Sequence, residues 1–394
     1  MQDYFNQSLP LHYENTTFQC YTQDLPTTST APTTLILLVH GAGCTSSSWC
    51  LLAQEMRNIH SSYTTTTAQP HVTIAAYDQR GHGATCSDDE SNLSLNRLVQ
   101  DTLVVLQELT SIMDVSQILL VGHSLGGAIV VRAAAIAAES LSLPILGVVV
   151  VDIVEGSALA SLPHLPALLN TRPDTFPSVE EAIKWSLDAR MVNNPSSAII
   201  SIPPMLVPMQ MQTKEGTADT HKEPPSSEAA KGVASTCNAG AMTAASTAAT
   251  TAASTAASTV ATTAASTAAT TAASTATTTP RQFTWRTNLH RTSEYWDEWY
   301  RGLSKDFLSV QANKLLILAS TDRLDKELMI GQMQGKFQFE IVQSAGHSVH
   351  EDQPKRVALL LWTFLLRISG GCNSSAIQPL KEQFDKNSMF AKRN

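Results

Sequence analysis

The sequence predicts an α/β fold: a mostly parallel, doubly wound sheet whose connections are interrupted by one helical cap insertion. Three observations carry this. Six short apolar runs, at 35–39, 72–77, 117–121, 146–151, 314–319 and 337–342, are rich in Val, Ile and Leu. Runs of that length and composition read as strands buried on both faces. Helical periodicity fills gaps between them, and strands alternating with helices imply parallel pairing through right-handed crossovers. The alternation then stops between 155 and 313, where helical patterns and loops occur without a strand pattern of comparable strength. An insertion over one sheet edge gives that pattern.

Taken in order, residues 1–30 form an N-terminal extension, and 31–155 hold the first part of the core. After the strands at 35–39 and 72–77, the stretch 96–110 places Leu98, Leu103, Leu106 and Leu109 at helical spacings on one side. The Ala-rich stretch 128–140 follows the strand at 117–121 and reads as a helix. Residues 156–312 form the cap. Within it, Glu180 to Trp185 reads as a helix, with Ser178 as its N-cap and Glu181 three residues on, a capping-box pattern. The cap also holds a low-complexity tract. Of the 39 residues 241–279, 37 are Ala, Thr or Ser and none is charged. Thr is a poor helix former and no apolar face is marked, so 213–280 reads as disordered. Its five-residue near-repeats are too short for a solenoid unit. The second part of the core spans 313–369 and closes with a helix from Pro354, where Pro fits the first turn. Residues 370–394 form a tail.

Composition narrows the function. The 394 residues are 43% hydrophobic and carry a net charge of −8, which argues against a nucleic-acid-binding surface. Charged residues make up 15%, against roughly 25% in an average domain. The six cysteines contain no CxxC pair, so a zinc ribbon or thioredoxin-type redox pair is not expected, and most thiols should be free in a reducing compartment. The N-terminus lacks a basic region followed by an apolar run. The longest strongly apolar segments, such as 357–368, fall short of the roughly 20 residues needed to span a bilayer. The expectation is a soluble cytoplasmic or nuclear protein with neither nucleic acid nor membrane as partner.

The chemistry centres on Gly122-His123-Ser124-Leu125-Gly126. A GxSxG alone occurs by chance in roughly one protein in ten of this length. Here it follows a predicted strand directly and opens a predicted helix, the setting of a nucleophile elbow. The helix N-terminus adds a positive field where an oxyanion would form. His40-Gly41-Ala42-Gly43 follows the strand 35–39, so the N–H groups of Ala42 and Leu125 are the candidate oxyanion hole. Asp78-Gln79-Arg80-Gly81-His82-Gly83 reads as structural, its aspartate tying a loop and its glycines turning it. A serine nucleophile needs a base, and the base needs an orienting acid. His347 follows the last predicted strand and precedes the last helix, on the sheet edge that carries the nucleophile. His350, three residues on, reads as facing the helix start. Asp152 and Asp322 each follow a core strand and each keep the order Ser, Asp, His; position alone slightly favours Asp322.

In this order HGAG, DQRGHG, GHSLGGA and AGH resemble the α/β-hydrolase superfamily. More specific strings go further. They are Val151-Asp152-Ile153-Val154-Glu155-Gly156, Arg172-Pro173-Asp174-Thr175-Phe176 with a following Ile-Lys-Trp-Ser, Tyr295-Trp296-Asp297-Glu298-Trp299, Arg301-Gly302-Leu303-Ser304, the DRLDK string from Asp322 and the GQMQGKFQ string from Gly331. Together they resemble the protein phosphatase methylesterase family from about residue 35 to about 366, the tract excepted. The resemblance implies an α/β-hydrolase fold without metal or organic cofactor. It also implies removal of the methyl ester from the C-terminal leucine of the catalytic subunit of type 2A protein phosphatase. Carried over by motif, Ser124 is the nucleophile, His347 the base and Asp152, not Asp322, the acid. Departures are small: GHSLGG stands where GHSMGG is usual, and HGAG where a third glycine is common. Two other functions stay open on the sequence, a small-molecule carboxylesterase or lipase and a phosphatase-binding inhibitor without turnover. The aromatic stretch Trp285, Tyr295, Trp296 and Trp299 is either a groove lining or core packing.

Overall fold

The computed structural model describes residues 1–25, 33–62, 71–209, 282–321 and 324–369. The expected disorder over 213–280, the tail 370–394 and the alternative acid Asp322 lie outside the described residues.

The six predicted runs become β3 (Thr33–Val39), β4 (His71–Tyr77), β5 (Gln117–His123), β6 (Ile145–Val151), β10 (Asn313–Leu318) and β11 (Gln338–Ile341). Two strands of the N-terminal extension, β1 (Gln7–Tyr13) and β2 (Thr16–Leu25), form a hairpin that pairs antiparallel with β4. The eight-stranded order is β1-β2-β4-β3-β5-β6-β10-β11, and all pairs from β4 onward are parallel. The chain winds from β3 to β4 on one side, then returns to place β5 on the other. The carboxyl ends of β3 and β5 therefore flank a switch point, where open α/β sheets leave a crevice.

The period of two along each strand sorts the core. Leu35, Leu37 and Val39 face one layer with Leu120 and Val148; Ile36 and Leu38 face the other with Leu119 and Val149. The second layer is closed by α1 (Cys50–Ser62) and, at the end of the chain, Pro354–Ile368. The first is closed by α2 (Leu95–Ile112) and α3 (Leu125–Ser140). Because both faces are covered, central strands carry apolar residues on both faces for most of their length, which is why they were legible as continuous runs.

The cap follows β6. It contains α4 (Glu155–Ser161), α5 (Leu165–Leu169), α6 (Val179–Asp188) and α7 (Pro195–Ser201). Ser178 caps α6 by accepting the Glu181 N–H at 3.2 Å. Unlike the sequence reading, the cap holds a small antiparallel sheet of β7 (Thr175–Phe176), β9 (Phe283–Trp285) and β8 (Leu206–Pro208), in that order. Strands of two and three residues leave no periodicity to read. Phe176, Ala182, Val192, Ile202 and Met205 make the cap's own core, joined by Cys44 from the loop after β3. Then come α8 (Trp296–Tyr300) and α9 (Leu303–Ser309), which pack on the α2 and α3 layer, followed after β10 by α10 (Lys326–Met333), α11 (Val349–Asp352) and α12 (Pro354–Ile368). Cys20, Cys44 and Cys50 are buried free thiols, whereas Cys86 is disulfide-bonded. No helix among the described residues is long and apolar enough to cross a membrane.

Candidate active site

β5 stops at His123, Ser124 turns the chain, and α3 begins at Leu125. Ser124 has φ 52° and ψ −120°, a conformation that costs a non-glycine residue on the order of 1–3 kcal/mol. The surroundings hold it there. Ser124 donates its N–H to Val151 O at 3.0 Å, and its carbonyl accepts the Gly127 N–H at 2.8 Å. A Cβ on Gly122 would enter the Gly126 carbonyl, and one on Gly126 would enter the Val39 carbonyl. These two glycines are required by close approach. Ser124 is 8% exposed at the resulting turn.

Asp152 ends β6 one strand away, also at positive φ (54°). It donates its N–H to Ile317 O at 2.8 Å, and its Oδ1 accepts the Ala319 N–H at 3.0 Å. Its Oδ2 lies 2.9 Å from His347 Nδ1. The carboxylate is 0% exposed and the imidazole 51%, so the pair has a buried and a wet end. This contact fixes the His347 proton on Nδ1 and leaves Nε2 as an acceptor. Asp152 thus makes the histidine contact that position alone had slightly favoured for Asp322.

Two neighbours hold the His347 loop. His123 Nε2 lies 2.9 Å from His347 O, and Asp352 Oδ2 accepts the Gly346 N–H at 2.7 Å. Asp352 also accepts both the backbone N–H and the side-chain amide of Asn193, each at 2.7 Å, bolting the loop to the cap. Between Ser124 and His347 no direct hydrogen bond occurs among the described contacts. On α8, which packs against α3, Tyr300 is buried and its phenol is pushed by burial up to about 12. Tyr300 lies beside the aromatic stretch flagged in the sequence, yet no motif marked it. Within that stretch, Trp296 and Trp299 are buried in the core. Their indole N–H groups are taken up by Thr292 Oγ1 and Leu93 O.

The loop after β3 is built around its donors. His82 Nε2 accepts the Gly43 N–H at 2.9 Å while its Nδ1 lies 2.7 Å from Arg80 O. His40 Nε2 accepts the Gln79 N–H at 3.0 Å. Burial holds His82 down at about 4 and His40 well below the ordinary histidine range, so both are neutral props. Asp78 accepts from Ser46 N, Ser46 Oγ and Ala84 N at 2.7–2.9 Å, tying the DQRGHG loop as the sequence reading expected. Gly43 N–H being spent, Ala42 N–H is left without a main-chain acceptor among the described contacts. Leu125 N–H heads a helix, where N–H groups lack intrahelical partners. These are the two donors the sequence nominated. His350 is fully buried, stacked 4.0 Å from Trp49, and held by burial at about 3. Beside it Glu351 is buried and pushed up to about 8. No cluster of His, Cys, Asp or Glu among the described residues is arranged to hold a metal ion. A serine held at a strained strand–helix turn and a histidine paired with a buried carboxylate are parts that acyl transfer needs.

Residues 36–359 match the Alpha/beta hydrolase family. Protein phosphatase methylesterase 1 of Yarrowia lipolytica is 32% identical over 374 residues, covering 92% of this chain and 71% of that protein. Its counterparts in Mus musculus and Rattus norvegicus are 37% and 38% identical over 333 residues, each covering 84% of this chain and 76% of theirs. Among solved structures, E-2-(acetamidomethylene)succinate hydrolase aligns with a TM-score of 0.54 at 17% identity, covering 91% of this chain and 98% of its own. An esterase of Mycobacterium tuberculosis aligns with a TM-score of 0.52 at 16% identity, covering 91% of both chains. At those identities the structures speak to the fold alone, and the sequence relatives speak to the activity, hydrolysis of a carboxylic methyl ester. The chain belongs to the alpha/beta hydrolases and, within them, to the protein phosphatase methylesterases.

Proposed function

We propose that this methylesterase removes the methyl ester from the C-terminal leucine carboxylate of the type 2A protein phosphatase catalytic subunit, with Ser124 as nucleophile, His347 as base and Asp152 as its orienting acid. The observation that carries the chemistry is the 2.9 Å pairing of His347 Nδ1 with buried Asp152 Oδ2, beside the strained Ser124 turn. The relatives' shared name supports a phosphatase as the substrate.

In this mechanism His347 Nε2 takes the Ser124 proton as Oγ attacks the ester carbonyl. Ala42 and Leu125 N–H groups receive the oxyanion of the tetrahedral intermediate. His347 then protonates the departing methoxide, and methanol leaves. Water, deprotonated by the same imidazole, attacks the acyl-enzyme and frees the leucine carboxylate. Asp152 stays ionised and stabilises the imidazolium. Every step uses side chains and backbone of this chain, with no cofactor.

The test is loss of methyl from methylated phosphatase catalytic subunit, followed beside hydrolysis of a short-chain nitrophenyl ester. The expected outcome is catalytic demethylation with kcat/KM far above that for the small ester. Turnover of the small ester while the subunit keeps its methyl group would point instead to a general carboxylesterase or lipase. Stoichiometric binding without release of methanol would point to an inhibitor.

A further inference from the structure

Arg172 stands in the cap, three residues past α5. Its guanidinium lies over the Trp285 ring, 4.1 Å from the centroid. Trp285 is itself fixed: its indole N–H donates to Pro173 O at 2.9 Å, and its ring packs edge-on against Phe176 and Trp185. The stack withdraws Arg172 Nε from water with no acceptor in reach, and burial pulls the guanidinium below its ordinary range. Other arginines withdrawn from solvent meet carboxylates: Arg80 with Asp101 at 2.8 Å, Arg132 with Asp306 at 3.2 Å and Arg286 with Glu90 at 2.7 Å. Arg172 meets none among the described residues. A partly desolvated cation left without a counter-charge is costly, and a planar fork held by an aromatic ring suits a carboxylate.

The position of this charge gives it meaning. Trp285, over which the guanidinium lies, packs against the cap core that contains Phe176 and Cys44, and Cys44 is buried two residues past Ala42. Leu289 of the cap lies directly over Gly43 in that loop. The unpaired cation therefore sits on the cap side of the loop that carries the Ala42 donor.

We propose that Arg172 is a specificity residue that receives the carboxylate side chain of an acidic residue in the substrate, upstream of the esterified terminus. This rests on the reading that the substrate is a chain terminus. The ester itself is neutral until it is cleaved, so the anion comes from a side chain of the same peptide. The stack on Trp285 presents the guanidinium edge with its rotamer already fixed, which lowers the entropy lost on binding.

The test uses the full chain and hexapeptides ending in leucine methyl ester, with Asp walked through the three positions before the leucine and Asn as its neutral isostere. The readout is the ratio of kcat/KM for Asp over Asn, so that any general loss of activity cancels. At one position the ratio should be about 10, carried by KM, and should shrink with added salt. In R172Q it should fall to within about twofold of one. R172K should lie between, since a point charge keeps the attraction but not the planar fork. A wild-type enzyme with no Asp preference at any position overturns the inference, as does a preference that survives R172Q. If the methylated phosphatase subunit itself stays intact, the esterase reading fails; if it is demethylated and no Asp preference appears, only the role of Arg172 fails.

Discussion

At Asp152 two requirements meet in one side chain: a carboxylate buried enough to stay oriented, and hydrogen bonds enough to offset that burial. The Ala319 N–H and His347 Nδ1 supply them. Spacing could not choose Asp152 over Asp322, because both follow core strands; the family string chose it, and the 2.9 Å contact agrees. Asp152→Asn should lower kcat by roughly 10³- to 10⁴-fold with modest change in KM, since it disturbs the imidazole tautomer more than binding. Tyr300 was invisible to motif reading, because it joins this region only once α8 packs on α3. Glu351 makes a stability prediction. Its carboxyl is pushed from 4.5 to about 8 by burial, so between those values the folded state holds a proton that the unfolded state has lost. Its favourable share is fully present below about pH 4.5 and is lost as pH rises to about 8. Denaturant titrations at pH 5.5 and 8 should therefore show Glu351→Gln gaining on the wild type by a few kcal/mol over that window. An equal pH dependence in both proteins would contradict the assignment. Taking the difference between the two cancels the buried His350 and His82, which act in the opposite sense as pH falls.

At the scale of elements, the legible parts were those with redundancy. Central strands buried on both faces read as apolar runs, and α6 announced itself through Ser178 and Glu181. The parts that were missed carry weaker signals. β7, β8 and β9 are too short to show a period, and the β1–β2 hairpin lies at the sheet edge, where Thr, Gln and His occupy many positions. The hold on the base loop was illegible for another reason: Asp352 acts through Gly346 and Asn193, a contact 159 residues away in sequence. Asp352→Ala removes acceptors from the N–H groups of Gly346 and Asn193. The loop should loosen and kcat fall about 10- to 100-fold, since a displacement of about 1 Å at the base is worth that much. A parallel melting curve separates this from general instability. If kcat holds while Tm falls, Asp352 ties the cap without positioning His347.

At the scale of the whole molecule, β6 and β10 pair side by side in the central sheet, and the cap segment between them carries its own small core among the described residues. The low-complexity tract falls inside that cap, and its two flanks are joined. β8 and β9 pair antiparallel with Pro208 opposite Phe283, and Met209 donates its N–H to Gln282 O at 2.8 Å. A short turn can therefore bridge 209 and 282. Replacing residues 210–281 by a Gly/Asn-containing hairpin loop should leave ester hydrolysis within about twofold of the full chain and Tm within a few degrees, since loop-closure entropy changes slowly with length. A collapse of activity would mean that those residues take part in the site. The acidic, charge-poor composition fits a sheet covered on both faces, with Arg80–Asp101 among the few charges taken inside.

All of this converges on Ser124, and its reactivity is directly measurable. Folded enzyme treated with a fluorophosphonate and mapped by peptide mass spectrometry should carry one adduct, on Ser124. Labelling should slow by orders of magnitude in His347→Ala and vanish in Ser124→Ala. A label on another residue, or none on the folded wild type, would contradict the account.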